Sequence, residues 1–265
     1  MKFFEKYKKI TRKNKTLVCV GLDSNIEKLP KKFRSKKYPQ FEFNKYIIDQ
    51  TNDLVCAYKP NCAFYEARGS AGIAELKMTI DYLNRVYPEV ITILDAKRAD
   101  IGNTNMGYVD FVFDYLGCDS LTVHPYLGQE ALSPFLMRKD KGVIVLCKTS
   151  NPGSSEFQDL KIDGEKLYRV VAKNVFEHWN TNDNVLLVVG ATYPKELAEI
   201  REIAGQMVFL VPGIGAQGGN VMEVVQAGLN SMGDGLIINS ARAIIFADNP
   251  RQEAINLRNE INKYR

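Results

Sequence analysis

Eight short apolar runs, each followed by a stretch of helical pattern, constrain this chain more than any other feature. The runs are Leu17–Leu22, Leu54–Tyr58, Val90–Leu94, Ser120–Val123, Gly142–Cys147, Val185–Val189, Met207–Val211 and Gly235–Ile238. They are near-continuously apolar rather than alternating, as expected of a parallel sheet covered by helices. Helical patterns follow over 41–53, 66–87, 105–116, 129–138, 164–179, 194–204, 219–227 and 250–263. Pro194 suits the first turn of its helix. Eight β/α units in 265 residues fit an α/β fold of one (β/α)8 TIM barrel, so a single domain over 1–265 is expected. A doubly wound open sheet is the main alternative. No linker divides the chain and no glycine-rich fingerprint follows the first strand, which counts against it.

The composition, 45% hydrophobic and 25% charged, is that of a soluble globular chain. No run approaches the ~18 apolar residues of a membrane span. Met1-Lys2-Phe3-Phe4 is followed at once by Glu5, Lys6, Lys8 and Lys9, so a secretory apolar segment is lacking. A cytoplasmic protein without a membrane partner is expected. The net charge of +4 is mild, and its densest stretches, Lys2 to Lys15 and Lys31 to Lys37, read as solvated faces. No interleaved aromatic or glycine motif accompanies them, so no nucleic-acid partner is expected. The five cysteines are odd in number and lack metal-type spacing; Cys19, Cys56 and Cys147 sit in strand-like runs and read as reduced core residues.

The segment Asp95-Ala96-Lys97-Arg98-Ala99-Asp100-Ile101-Gly102-Asn103-Thr104 closes the third apolar run. Residues i and i+2 of a strand point the same way, so Asp95 and Lys97 are expected on one face. A lysine held among carboxylates stays charged and can be aimed as an acid. A surface salt bridge is the ordinary alternative, but a charged triplet directly after an apolar strand is atypical of a surface.

Active sites of such barrels lie at the C-terminal ends of the strands. Those ends carry Asp23, Lys59 and Asn61, then Asp95, Lys97 and Asp100, then His124, Thr149 with Ser150, Gln217 and Arg242. Taken singly, each reads as a helix cap or an ion pair; their shared position at strand ends reads as a site. Pro212-Gly213-Ile214-Gly215-Ala216-Gln217-Gly218-Gly219 follows the seventh strand, and glycines let backbone N–H groups approach an anion. Asn239-Ser240-Ala241-Arg242 follows the eighth, where Arg242 could grip a phosphate by paired hydrogen bonds. The two loops point to a phosphorylated substrate. His124 and His178 are the only histidines and form no metal pair, so no metal is expected. Cys147 lacks an obvious base and reads as core rather than nucleophile.

Six segments together resemble the orotidine 5′-phosphate decarboxylase family, in its longer type 2 subgroup. They are Gly21-Leu22-Asp23, Tyr58-Lys59-Pro60-Asn61, the Asp95–Thr104 segment, Lys148-Thr149-Ser150-Asn151-Pro152-Gly153, Pro212–Gln217 and Asn239-Ser240-Ala241-Arg242-Ala243-Ile244, in order along nearly the whole chain. The basic N-terminal segment and the lysines near Lys36 fall outside the match. The resemblance implies cofactor-free decarboxylation of orotidine 5′-phosphate to UMP, the final step of de novo pyrimidine biosynthesis. It implies Lys97 as proton donor to C6, Asp95 beside the departing carboxylate, and Lys59 and Asp100 completing an alternating charge network. Asp23, Asn61, Ile101, Thr104, Ser150, Pro212, Gln217 and Arg242 are implied to bind substrate: Asp23 a ribose hydroxyl, Ser150 the pyrimidine, Gln217 and Arg242 the phosphate. Asp100 and Thr104 are implied to reach a neighbouring subunit's site, hence a homodimer with shared sites.

Such chemistry fits these residue types. Loss of CO2 leaves a poorly delocalised carbanion at C6, and a fixed cation stabilises it without solvent reorganisation. Remote phosphate contacts can drive loop closure and lower the barrier. Rival readings are a keto-sugar-phosphate decarboxylase or aldolase, which would share Asp95, Lys97 and Asp100 and usually need Mg²⁺, and a non-catalytic nucleotide-binding protein. A Schiff-base lysine is disfavoured, because flanking carboxylates raise rather than lower a lysine pKa.

Overall fold

The computed structural model describes residues 1–215 and 218–265. Eight parallel strands close into a barrel in chain order: β1 (Val18–Gly21), β2 (Ala57–Lys59), β3 (Ile91–Arg98), β4 (Ser120–Val123), β5 (Gly142–Lys148), β6 (Val185–Val189), β7 (Phe209–Pro212) and β8 (Leu236–Ser240). Closure is made at β1, where Cys19 pairs with Ala57 of β2 on one side and Asn239 of β8 on the other. The open doubly wound alternative is thereby excluded. The strands are buried on both faces, which is why they read as continuous apolar runs.

The strand ends differ from expectation at β3. It continues to Arg98, four residues past Leu94, because pairing with β4 resumes at Arg98 and Val123 after a shift that follows Leu94 and Leu121. The helix expected over 66–87 is two helices, Ala63–Glu66 and Gly69–Val86. Gly69 turns the chain with φ +58°, and a Cβ on Gly72 would lie 2.0 Å from the Tyr65 carbonyl oxygen, so the two pieces cross closely. The stretch after β5 contains a one-turn helix, Ser155–Gln158, and a small hairpin pairing Lys161–Ile162 with Glu165–Lys166. The hairpin turns at Asp163 and Gly164, both with positive φ, and delays the next helix to Leu167–Asn174, followed by a wider π-type turn over Val175–Trp179.

The basic N-terminal segment is more than a solvated face. It forms a helix, Phe3–Lys13, burying Phe3, Tyr7 and Ile10 at helical spacing. The Tyr7 hydroxyl donates to the Leu236 carbonyl at 3.1 Å and accepts from the Gly235 N–H at 3.0 Å. Lys6 Nζ pairs with Asp119 at 2.6 Å. Gly235 and Leu236 lie where β8 begins, so this helix plugs the N-terminal mouth and leaves the opposite mouth free. All five cysteines are buried and unpaired. Among the described residues no helix is long and apolar enough to cross a membrane.

Candidate active site

A cavity of about 470 Å³ opens at the C-terminal ends of the strands. Asp23, Lys59, Asn61, Asp95 and Lys97 line it, as do Ser150, Pro212 and Arg242. With Thr149, nine of the residues singled out in the sequence thus converge from six strand ends.

Lys59 is the last residue of β2 and Pro60 follows, which biases Lys59 to extended backbone. One bridge farther, Asn61 pairs with Asp95 of β3, so the two strands deliver Lys59 and Asp95 side by side. Lys59 Nζ lies 2.9 Å from Asp95 Oδ2, and Lys97 Nζ lies 2.7 Å from Asp95 Oδ1. Each carboxylate oxygen therefore carries one ammonium. Burial alone would push the Asp95 carboxyl up, but Lys59 and Lys97 outweigh it and hold the group well below the usual carboxylate range. Burial likewise works against the Lys59 charge, and Asp95 with Asp23 overcomes it, raising that lysine above its ordinary value. Asp95 and Lys59 are therefore both charged at neutral pH. Asn61 Nδ2 sits 3.5 Å from Asp95 Oδ2, a weak contact.

Asp95 and Lys97 meet, as expected, but not through simple strand alternation. The ladder is shifted there and Lys97 has a left-handed backbone, φ +48°. The Lys97 side chain is 50% exposed, against 4% for Lys59. One lysine is an anchor and the other faces the opening.

Asp23 follows β1; its Oδ1 is buried and has no hydrogen-bond partner among the described residues. Burial pushes its carboxyl pKa up, with Lys59 opposing. Gly21 is required nearby, because a Cβ there would come within 2.6 Å of Ala241 Cβ. That close approach seats the β8 loop, and with it the exposed Arg242, against β1. After β5, Gln158 clamps the loop carrying Ser150: its Oε1 accepts from the Thr149 N–H at 2.9 Å and its Nε2 donates to the Thr149 hydroxyl at 2.8 Å. After β7, Pro212 O accepts from the Ala191 N–H at 2.8 Å and Gly213 turns the loop with φ +108°. Gln217 lies outside the described residues.

Asp100, Ile101 and Thr104 are not in this cavity. Asp100 instead caps its own turn, with Oδ1 accepting from the Ile101 N–H at 2.7 Å. Ile101 is 61% exposed and Thr104 is also exposed. His124 lies at the strand end without lining the cavity, and His178 is exposed. Sequence reasoning missed Thr122 and Gln158, both cavity residues. For Thr122 a signal existed: Ser120 and Thr122 alternate in an otherwise apolar strand, placing hydroxyls on the barrel's inner face.

The model of the orotidine 5′-phosphate decarboxylase / HUMPS family matches residues 16–257. The chain belongs to this family. It is 46% identical over 271 residues to orotidine 5′-phosphate decarboxylase of Cellvibrio japonicus (strain Ueda107), covering 99% of this chain and 98% of that one. It is 44% identical to the enzyme of the same name from Janthinobacterium sp. (strain Marseille), covering 100% and 99%. Among solved structures, Leishmania donovani OMP decarboxylase superposes with a TM-score of 0.90 at 40% identity, covering 100% of this chain and 99% of that one. Leishmania donovani UMP synthase superposes with a TM-score of 0.92 at 41% identity, and the chain spans 56% of its length.

Proposed function

We propose that the chain converts orotidine 5′-phosphate to UMP and CO2 by the charge network at the barrel mouth. One observation carries the mechanism: Lys59, Asp95 and Lys97 form a contiguous row of ion pairs in the same cavity as Arg242.

In the reaction the bond from C6 to the carboxylate breaks, CO2 departs, and the electron pair stays on C6. Lys97 faces the opening with its ammonium held by Asp95, so it supplies positive charge as the pair localises and then transfers its proton to C6. The resulting amine is recharged from solvent, which half-exposure permits. Asp95 holds the Lys97 side chain in place and sets negative charge beside the substrate carboxylate. Lys59 keeps Asp95 ionised. Asp23, with a buried unpartnered oxygen, is suited to accept from a ribose hydroxyl. Ser150 binds the pyrimidine, with Asn61 assisting. Arg242, Pro212 and the glycine turn bind the phosphate, as does Gln217. No cofactor or metal enters this scheme.

Asp100 and Thr104 are assigned to the site of a second copy, in a homodimer with shared sites. Their position outside their own cavity, with Thr104 exposed, supports this. Residues 1–265 are assigned to one barrel domain of the type 2 subgroup. Five buried free thiols support a cytoplasmic location.

The test is loss of orotidylate absorbance on incubation with the purified chain in excess EDTA. The expected result is complete conversion. Absence of conversion, with Mg²⁺-dependent turnover of a keto-sugar phosphate instead, would overturn the reading. Tight nucleotide binding without CO2 release would do the same.

A further inference from the structure

The β3 shift leaves two amides without their strand partners. From Leu94 to Arg98 β3 advances four residues while β4 advances two, from Leu121 to Val123. Within this surplus lie Asp95, Ala96 and Lys97. The Ala96 N–H and the Lys97 N–H both donate to the Thr122 hydroxyl, each at 3.0 Å. Thr122 Oγ1 in turn lies 2.9 Å from Asp95 Oδ1. A hydroxyl has two acceptor sites and one hydrogen. Both acceptor sites are taken by amides, so the hydrogen is directed to the carboxylate. Thr122 is 1% exposed, and its entire hydrogen-bonding capacity is spent on the three residues that build the acid.

We propose that Thr122 is a positioning residue: its hydroxyl holds the left-handed turn at Lys97 and the plane of the Asp95 carboxylate in one arrangement. This rests on the reading of Lys97 as the proton donor. A non-glycine residue at φ +48° persists only where its surroundings over-determine it. Here the over-determination comes from two amides and one carboxylate converging on a single oxygen. Asp95 Oδ1 is shared by Thr122 and Lys97, so the hydroxyl also limits where the Lys97 ammonium can rest. Without it the carboxylate is free to rotate about its remaining contacts, and a misplacement of order 1 Å in a reacting group costs about 10²-fold in rate.

The experiment compares the parent with Thr122→Val, Thr122→Ala, Thr122→Ser and Lys97→Ala, measuring kcat and KM for orotidine 5′-phosphate and UMP affinity. Thr122→Val is expected to lower kcat about 10²-fold, with KM and UMP affinity within about threefold, because phosphate and ribose contacts are untouched. Thr122→Ser, which keeps the hydroxyl, is expected to stay within about threefold of parent kcat. If Thr122→Val does not fold, Thr122→Ala is read in its place, its smaller side chain avoiding a buried methyl against two amides. Parent-like kcat in Thr122→Val or Thr122→Ala beside an inactive Lys97→Ala overturns the role of Thr122 alone. So does a Thr122→Ser variant that falls as far as Thr122→Val, since that would mark a packing effect. Parent-like kcat in Lys97→Ala overturns the reading of the acid itself.

Discussion

Lys59 and Asp95 are joined at 2.9 Å with side chains only 4% and 11% exposed. Lys59 occupies one carboxylate oxygen and is out of solvent. The other oxygen is left to Lys97, which is half in solvent. In the proposed mechanism the buried cation is structural and the half-exposed one chemical, so the two are expected to respond differently to mutation.

Removing the structural cation leaves a buried carboxylate with one cation instead of two. Breaking a buried pair from one side destabilises by about 3 kcal/mol or more. Lys59→Met is therefore expected to lower the urea midpoint clearly and to reduce turnover together. A midpoint equal to the parent's would show that Asp95 does not depend on this contact.

Removing the chemical cation has another signature. Lys97 is half-exposed, so Lys97→Ala is expected to leave the unfolding midpoint nearly unchanged. Turnover should drop by at least about 10³-fold, in the range for losing a general acid. Binding of UMP, measured by calorimetry, should persist. A variant that still decarboxylates near the parent rate would remove Lys97 from its role.

These residues were legible because physics makes them stand out in a linear sequence. Lys59 and Asp95 end apolar runs, and only a strand that opens into a site puts charge there. Thr122 was hidden because a threonine in a strand is ordinary, and its meaning lies in a ladder shift on the neighbouring strand. The helix Phe3–Lys13 was hidden by its own charge, since the lysines between Phe3, Tyr7 and Ile10 obscure the apolar stripe. Gly69 broke an expected helix because nothing in the 66–87 pattern signals a left-handed backbone. Asp100 and Thr104 share a motif with Lys97 but not its cavity, since proximity in sequence ends where the chain turns into the helix Gly102–Val109.

Arg242 offers a test of remote binding. It is exposed and lines the same cavity as Lys97. A hydrogen bond to a charged group contributes about 1.5–3 kcal/mol, so Arg242→Ala should raise KM for orotidine 5′-phosphate by about 10- to 10²-fold. Against orotidine, which lacks the phosphate, the variant and parent should be equally poor. An equal loss on both substrates would place Arg242 elsewhere in the mechanism.

Gly21 is a packing test of the same loop. A Cβ there would come within 2.6 Å of Ala241 Cβ, next to Arg242. Gly21→Ala must push the β8 loop outward, at an overpacking cost of about 1–3 kcal/mol. A lower melting temperature is expected together with a raised KM for the phosphorylated substrate. If only stability changes, the loop's seat on β1 is not what sets the Arg242 position.

The ion pair also fixes how stability depends on pH. Asp95 is held below its unfolded value by Lys59 and Lys97, so the folded state binds its proton less readily than the unfolded chain. Its contribution is complete above the unfolded value of about 4 and is lost as pH falls through the lower, folded value. Lys59 is raised instead, so its contribution is complete below about 10 and is lost only as pH rises through the higher, folded value. Between these limits the pair adds no pH dependence. Urea midpoints at pH 7, 5 and 3 should therefore fall more steeply at the acid end in the parent than in Asp95→Asn. Other paired carboxylates titrate in both chains, so the difference in slope isolates Asp95. Parallel acid slopes would mean that Asp95 carries no depressed titration and that the charge row at the barrel mouth is not held as a unit.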